Sequence, residues 1–191
     1  MGAPEGGDLN VGTLILEPHN LGDDAALFCA FTAIRERAHV ITVLRSVKQD
    51  AYGIAAETRE RESEAAMRLL GCTWEQWAFP DTDPDWGRIA DLLPDVVSGF
   101  DAVYAPAFLD GGHEQHNALA AAVMDATGGD FGGYLTYRRH GGKATDGTPV
   151  EFDPGWIRVK LQALACYRSQ IETAAANCWM WFLGDQREYV A

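Results

Sequence analysis

The chain has 191 residues, of which 47% are hydrophobic, a size that suits one well-packed domain and is short for two. Its 15 basic and 28 acidic side chains give a formal net charge of −13, which argues against general nucleic-acid binding, because affinity for phosphates comes from clustered lysines and arginines. No apolar stretch is long enough to span a membrane, and the N-terminus lacks the pattern of a secretory signal. We therefore expect a cytoplasmic protein with a single domain over residues 1–191, of which 1–9 form a flexible N-terminus.

Strand-like and helix-like segments alternate along the chain. The predicted strands cover about 11–16, 40–44 and 102–105, and the predicted helices cover about 25–36, 55–70, 89–98 and 117–126. Gly71 is expected to end a helix, and Asp85 is expected to cap one that begins at Trp86, after a loop at 80–85. This alternation predicts an α/β fold, a Rossmann-like domain with a mostly parallel sheet flanked by helices.

Three candidate ligand side chains follow the first predicted strand. That strand is rich in Val, Leu and Ile and is expected to be buried on both faces, so its carboxyl end opens onto the crevice where parallel sheets bind ligands. His19, Asp23 and Asp24 come directly after it, and they are hard and borderline metal ligands. The segment is interpreted as half of a metal site.

A second ligand-rich segment, with His113 and His116, follows the predicted strand at 102–105. Two neutral imidazoles and one carboxylate, with one position left open, are the usual ligand count for catalytic zinc. The alternative is that these histidines are ordinary turn or helix N-terminal residues. Two histidines and a carboxylate also make the facial triad of non-haem iron oxygenases, but those enzymes usually have an all-β scaffold.

Four motifs occur in order along the chain. His19 and the Asp23-Asp24 pair match a His-Pro-Asp-Asp-type motif, and Arg59 begins an Arg-x-x-Glu motif ahead of an Ala-rich helix that ends in Leu-Gly. Residues 112–116 match Gly-His-x-Asp-His, and residues 160–170 match Lys…Ala-Leu…Tyr-x-Ser-Gln. With these motifs the chain resembles the LmbE-like or PIG-L family of N-acetylglucosaminyl deacetylases.

The resemblance implies a zinc-dependent deacetylase that hydrolyses the N-acetyl amide of an amino sugar or sugar conjugate. Zinc would be held by His19, Asp24 and His116. Asp23 would act as general base on the attacking water. His113 would stabilise the oxyanion or protonate the departing amine.

Arg59 is a candidate for binding a substrate hydroxyl, phosphate or carboxylate. Its position on a helix rich in arginine and glutamate favours a different interpretation slightly, a solvated ion pair with Glu62 or Glu64.

The chain departs from the family pattern at two places. Leu21 and Gly22 are two extra residues between the histidine and the aspartate pair, so the turn has to bulge, which a glycine permits. Gln115 stands where the family usually has an aspartate, and it supplies no negative charge to a neighbouring histidine. Both departures support an alternative hypothesis, a non-catalytic family member that binds metal or sugar without turnover.

The remaining candidate features carry weaker signals. Cys29, Cys72, Cys166 and Cys178 show no Cys-x-x-Cys spacing and are expected to be reduced, mainly buried thiols. The basic run at 137–143 is interpreted as a mobile surface segment or as a substrate rim. The aromatic segment at 179–182 is either core or a contact in a homo-oligomer.

Overall fold

The central strand β1 (Thr13–Glu17) is buried along its whole length, as the apolar run predicts. The computed structural model describes residues 12–19, 23–46, 49, 53–138, 142–176 and 186–191, without the side chains of Asp23 and of residues 173–176. Alternate side chains of β1 enter two separate cores: Ile15 faces one, and Leu14 and Leu16 face the other. Burial on both faces is typical of parallel sheets covered by helices on each side.

Seven strands of the described chain form the main sheet, which is mostly parallel. In chain order these strands are β1, β2 (His39–Arg45), β3 (Thr73–Pro80), β4 (Ala102–Pro106), β5 (Gly132–Tyr134), β8 (Thr148–Pro149) and β9 (Tyr189–Val190). Their spatial order is β3-β2-β1-β4-β5-β9-β8, with the first five parallel and β9 antiparallel to β5 and β8. The strands β6 (Tyr137–Arg138) and β7 (Gly142–Lys143) pair with each other separately.

Helices cover both faces of the sheet. They are α1 (Asp23–Phe28), α2 (Ala30–Glu36), α3 (Ala56–Leu70), α4 (Trp86–Val97), α5 (Glu114–Thr127), α6 (Pro154–Leu164) and α7 (Arg168–Ala176). The first three and α6 contribute to the core around Ile15, whereas α4 and α5 contribute to the core around Leu14. The predicted α/β fold with a mostly parallel sheet is confirmed. No helix in the described ranges is both long and apolar enough to cross a membrane.

Two helix ends are as predicted from the sequence. Gly71 ends α3 in the left-handed region at φ 77°, where glycine meets no steric penalty. The side chain of Asp85 accepts a hydrogen bond from the backbone N–H of Arg88 and caps α4. The predicted single helix over 25–36 is instead two helices separated at Cys29, and strand β3 was not predicted.

The described cysteines are free thiols, as expected. Cys29 is buried, and Cys72 and Cys166 are half-buried. Burial raises the pKa of the Cys72 thiol to about 12. Cys178 lies outside the described residues, as does the aromatic segment at 179–182.

Candidate metal site

Three histidine rings meet at the carboxyl end of the central strands. His19 follows β1, and His113 and His116 follow β4, and these two strands pair side by side in parallel. The ring centroid of His19 lies 4.7 Å from that of His113 and 4.8 Å from that of His116. One nitrogen from each ring lies within 4.8 Å of the others, so the three could hold one metal ion.

Three buried polar atoms of this cluster have no hydrogen-bond partner among the described residues. They are Nε2 of His19, Oδ2 of Asp24 and Nε2 of His116. The Asp24 oxygen lies 3.1 Å from the His116 nitrogen. Because buried polar atoms are nearly always paired, unpartnered donor atoms in one cluster indicate a missing ligand. These three atoms belong to the residues that the family resemblance implies as zinc ligands.

The electrostatics of the cluster suit a cation. Burial lowers the pKa of His19 to about 3, with further lowering by His116 and His113, so the imidazole is neutral at physiological pH. Burial would raise the pKa of Asp24, but His116 and the other two imidazoles outweigh it and hold that pKa below its ordinary value. A neutral His19 imidazole beside the ionised Asp24 carboxylate offers two of the donor types that zinc uses in catalytic sites.

Helix α5 positions both of its histidines through its first turn. His113 is the N-cap residue, and its Nδ1 accepts a hydrogen bond from the backbone N–H of Gln115 at 3.3 Å. His116 lies one turn into the helix and is buried. Its Nδ1 lies 3.0 Å from Oγ1 of Thr136, and the ring of Tyr137 packs edge-on against it at 5.3 Å.

A buried glutamate supports the helix that carries the aspartate pair, and it was not singled out in the sequence. Glu17, at the end of β1, accepts a hydrogen bond from the backbone N–H of Ala25 at 2.9 Å and one from the hydroxyl of Thr42 at 2.5 Å. The Thr42 oxygen also accepts from the indole of Trp74. Glu17 therefore ties the first turn of α1 to strands β1 and β2.

Asp23 is the first residue of α1, and its side chain lies outside the described residues. The extra residues Leu21 and Gly22 also lie outside them. Asp24 itself reaches His116.

The side chain of Gln115 forms a hydrogen bond with a loop, not with a histidine. Its amide donates to the backbone carbonyl of Asp81 at 2.6 Å, and the Asp81 carboxylate accepts from the hydroxyl of Ser46 at 2.6 Å. An aspartate at position 115 has no N–H with which to make this bond. The glutamine thus connects α5 to the segment that follows β3.

Arg59 is fully buried, so the expectation of a solvated ion pair is wrong. Its guanidinium donates to the hydroxyl of Ser169 at 2.9 Å and lies 3.9 Å from the carboxylate of Glu62. The same carboxylate accepts from the Ser169 hydroxyl and from its backbone N–H. The pairing with Glu62 is present, and the hydrogen bonds of Arg59 and Glu62 to Ser169 join the second and fourth sequence motifs.

Comparisons with known proteins agree with the motifs. The family model described as PIG-L, GlcNAc-PI de-N-acetylase, matches residues 14–127, which is more than half of the chain, and the chain belongs to this family. A comparison with curated proteins gave no significant match.

Solved structures share the fold at low sequence identity. A teicoplanin deacetylase complex has a TM-score of 0.67 at 20% identity, over 86% of this chain and 87% of its own. The N,N'-diacetylchitobiose deacetylase from Pyrococcus horikoshii has a TM-score of 0.66 at 17% identity, over 94% and 82%. The fold also occurs in a 4-carboxy-2-hydroxymuconate hydratase from Pseudomonas putida, with a TM-score of 0.58 at 14% identity over 94% and 92%. The α/β fold weighs against the iron oxygenase hypothesis, because those enzymes usually have an all-β scaffold.

Proposed function

We propose that the chain is a zinc-dependent deacetylase that hydrolyses the N-acetyl amide of an amino sugar or sugar conjugate. The observation that carries the proposal is the group of three unpartnered buried atoms, from His19, Asp24 and His116, in a protein of the PIG-L family. The teicoplanin and diacetylchitobiose deacetylases among the structural neighbours support an acetamido sugar as substrate. We also propose that the protein is cytoplasmic. Its assembly into a homo-oligomer stays a prediction.

The donor set fits zinc, since it offers two imidazoles, one carboxylate and no thiolate. When bound, zinc supplies a Lewis acid for the amide carbonyl and makes water acidic enough to react near neutral pH. Asp24 and the two histidines bind the ion in this proposal, and the carboxylate contributes the negative charge.

Proton transfer is assigned to Asp23 and His113. Asp23 precedes a ligand on the first turn of α1, and its carboxylate is the proposed base for the attacking water. Nδ1 of His113 accepts from a backbone N–H, so the proton of the neutral ring lies on Nε2. That N–H is the proposed donor to the oxyanion or to the departing amine.

Arg59 is still proposed to take part in substrate binding. Because it is buried, the proposed role is indirect and not a direct contact with the substrate. A guanidinium with no exposed surface that donates to Ser169 favours an indirect role, in which Arg59 positions Ser169 and α7. Ser169 is half-buried, whereas Arg59 has no exposed surface.

The test is release of acetate and free amine from N-acetylglucosamine and a panel of its glycosides and conjugates, with zinc-loaded protein. Asp23→Asn is expected to reduce turnover at least about 100-fold, because a positioned general base contributes about 10²-fold or more. Asp125→Asn, at an exposed position on α5, is the matched control and should leave turnover unchanged. Equal turnover by Asp23→Asn and the wild type would contradict the mechanism.

A second candidate function is metal or sugar binding without turnover. The observation that favours it is Gln115, whose amide binds the Asp81 carbonyl and brings no carboxylate to the first turn of α5. This hypothesis predicts that the zinc-loaded protein binds acetamido sugars in calorimetry and releases no acetate. Release of acetate from any acetamido sugar overturns it.

A further inference from the structure

The buried hydroxyl of Thr136 contacts His116 at the ring nitrogen opposite the unpartnered one. Oγ1 of Thr136 lies 3.0 Å from Nδ1 of His116, and neither residue has more than 1% of its surface exposed. In its neutral form an imidazole carries one proton on its two nitrogens, so a hydroxyl that accepts from Nδ1–H leaves the lone pair on Nε2. Only an Nε2 with a lone pair can bind a metal.

The position of this hydroxyl is fixed by the backbone around it. The carbonyl of Thr136 accepts from the N–H of Ala144 at 2.9 Å, and the N–H of Leu135 donates to the carbonyl of Tyr189 at 2.8 Å. The preceding strand β5 lies next to β4, and the carbonyl of Tyr134 accepts from the N–H of Ala107. The hydroxyl therefore approaches His116 from a segment that backbone hydrogen bonds hold to two neighbouring segments.

The other end of the ring agrees with a proton on Nδ1. Nε2 lies 3.1 Å from the Asp24 carboxylate, which is a distance at which an N–H would form a strong hydrogen bond. Neither atom has an assigned hydrogen-bond partner among the described residues. The two atoms can share a cation only if Nε2 keeps its lone pair, which places the ring proton on Nδ1, facing the threonine.

We propose that Thr136 is a positioning residue, which holds His116 as the Nδ1–H tautomer and thereby presents the Nε2 lone pair to the metal. The inference rests on the proposed metal-dependent function and concerns a residue outside the four sequence motifs. Hydrogen bonds from metal-bound histidines to such partners fix the ring orientation and the tautomer, and their loss weakens metal binding about 10- to 100-fold.

The first experiment measures the zinc dissociation constant by competition with a chelator for the wild type, Thr136→Val and Thr136→Ser. Valine has the shape of threonine without the hydroxyl, and serine keeps the hydroxyl. Thr136→Val is expected to bind zinc about 10- to 100-fold more weakly, and Thr136→Ser to stay within about threefold of the wild type. If Thr136→Val does not fold, Thr136→Ala is compared with Thr136→Ser. Equal affinity in all variants, or equal weakening by serine and by the variants without a hydroxyl, overturns the proposal.

The second experiment reads the tautomer directly in metal-free protein, from the ¹⁵N chemical shifts of the labelled His116 ring. The wild type and Thr136→Ser are expected to carry the proton on Nδ1, and Thr136→Val to shift it toward Nε2. An Nε2–H ring in the wild type overturns the proposal. Because neither experiment measures turnover, a protein that binds zinc but releases no acetate would contradict the proposed function alone.

Discussion

Oδ2 of Asp24 and Nε2 of His116 lie 3.1 Å apart, although one residue follows β1 and the other follows β4. The pairing of these two strands in the centre of the sheet places both side chains at the same edge. A site built on strand ends is positioned by the backbone of the core, which favours the precise geometry that a metal requires.

Replacement of Asp24 should abolish metal retention. Asp24→Asn keeps the shape of the side chain but removes the negative charge that attracts the ion, so we expect about one zinc per wild-type chain and none in the variant. Elemental analysis of the two purified proteins tests this expectation, with Asp125→Asn carried through the same purification. Equal zinc in Asp24→Asn and the wild type would remove Asp24 from the ligand set.

Glu17→Gln should destabilise the protein and disturb the turn that carries Asp24. The buried carboxylate accepts hydrogen bonds from Ala25 and Thr42, and an amide can accept with only one of its two polar atoms. We expect a loss of about 1–3 kcal/mol in the free energy of unfolding, measured with denaturant. Glu151→Gln, at an exposed position, is the control. No loss of stability would show that Glu17 does not need its charge.

The metal-free protein should lose stability as the pH falls below about 6.5. The pKa of His19 is lowered to about 3 in the folded state, so between its ordinary value of 6.5 and about 3 the unfolded chain binds a proton that the folded protein does not. The free energy of unfolding then decreases with falling pH, by at most about 1.4 kcal/mol per pH unit for this group. Denaturant unfolding at several pH values should give a smaller slope for His19→Gln. Parallel slopes for the two proteins would argue against a neutral, buried His19.

The buried ion pair between Lys160 and Glu188 should be essential for stability. The ammonium lies 2.7 Å from the carboxylate and also donates to the carbonyl of Leu27, and the carboxylate accepts from the backbone N–H of Phe31. Lys160→Met leaves a buried carboxylate unpaired, and we expect a loss of about 3–5 kcal/mol in the free energy of unfolding. The double variant with Glu188→Gln should recover part of that loss in a double-mutant cycle. Additive losses would mean that the two charges do not stabilise each other.

The same pair predicts a pH effect in the variant. Burial raises the pKa of Glu188, while Lys160 lowers it, so removal of the lysine raises this pKa further. A carboxyl whose pKa is higher in the folded state keeps its proton better when folded, so this group stabilises the folded protein increasingly as the pH falls from 7 toward 5, and does so more in Lys160→Met. The stability difference between Lys160→Met and the wild type should therefore become smaller over this range in one thermal denaturation series.

The sequence predicted the elements whose residues carry a local signal. Strands β1 and β4 are short apolar runs, and both were placed within one or two residues. Strand β3 was missed because it is an edge strand in which Glu75 and Gln76 interrupt the apolar pattern. The break between α1 and α2 at Cys29 was missed because the surrounding residues are continuously apolar and compatible with one helix.

In the candidate site, too, some features were predictable from the sequence and others were not. His19 and His116 follow predicted strands, so their meeting was predictable from the parallel sheet. The role of Thr136 depends on a contact with His116 across 20 residues, and that of Arg59 on a contact with Ser169 across 110 residues. Sequence spacing carries no signal for such tertiary contacts, which is why Arg59 was expected in solvent.

The three unpartnered atoms of His19, Asp24 and His116 also affect how well the protein resists degradation. Without a metal ion, these desolvated polar atoms have no hydrogen-bond partner among the described residues, and unfolding relieves that cost. A ligand that binds only the folded protein stabilises it in proportion to the logarithm of its concentration, by about 2.7 kcal/mol at 100 times the dissociation constant. If the protein binds metal as proposed, its resistance to proteolysis should rise and fall with the supply of the ion, and its abundance should follow.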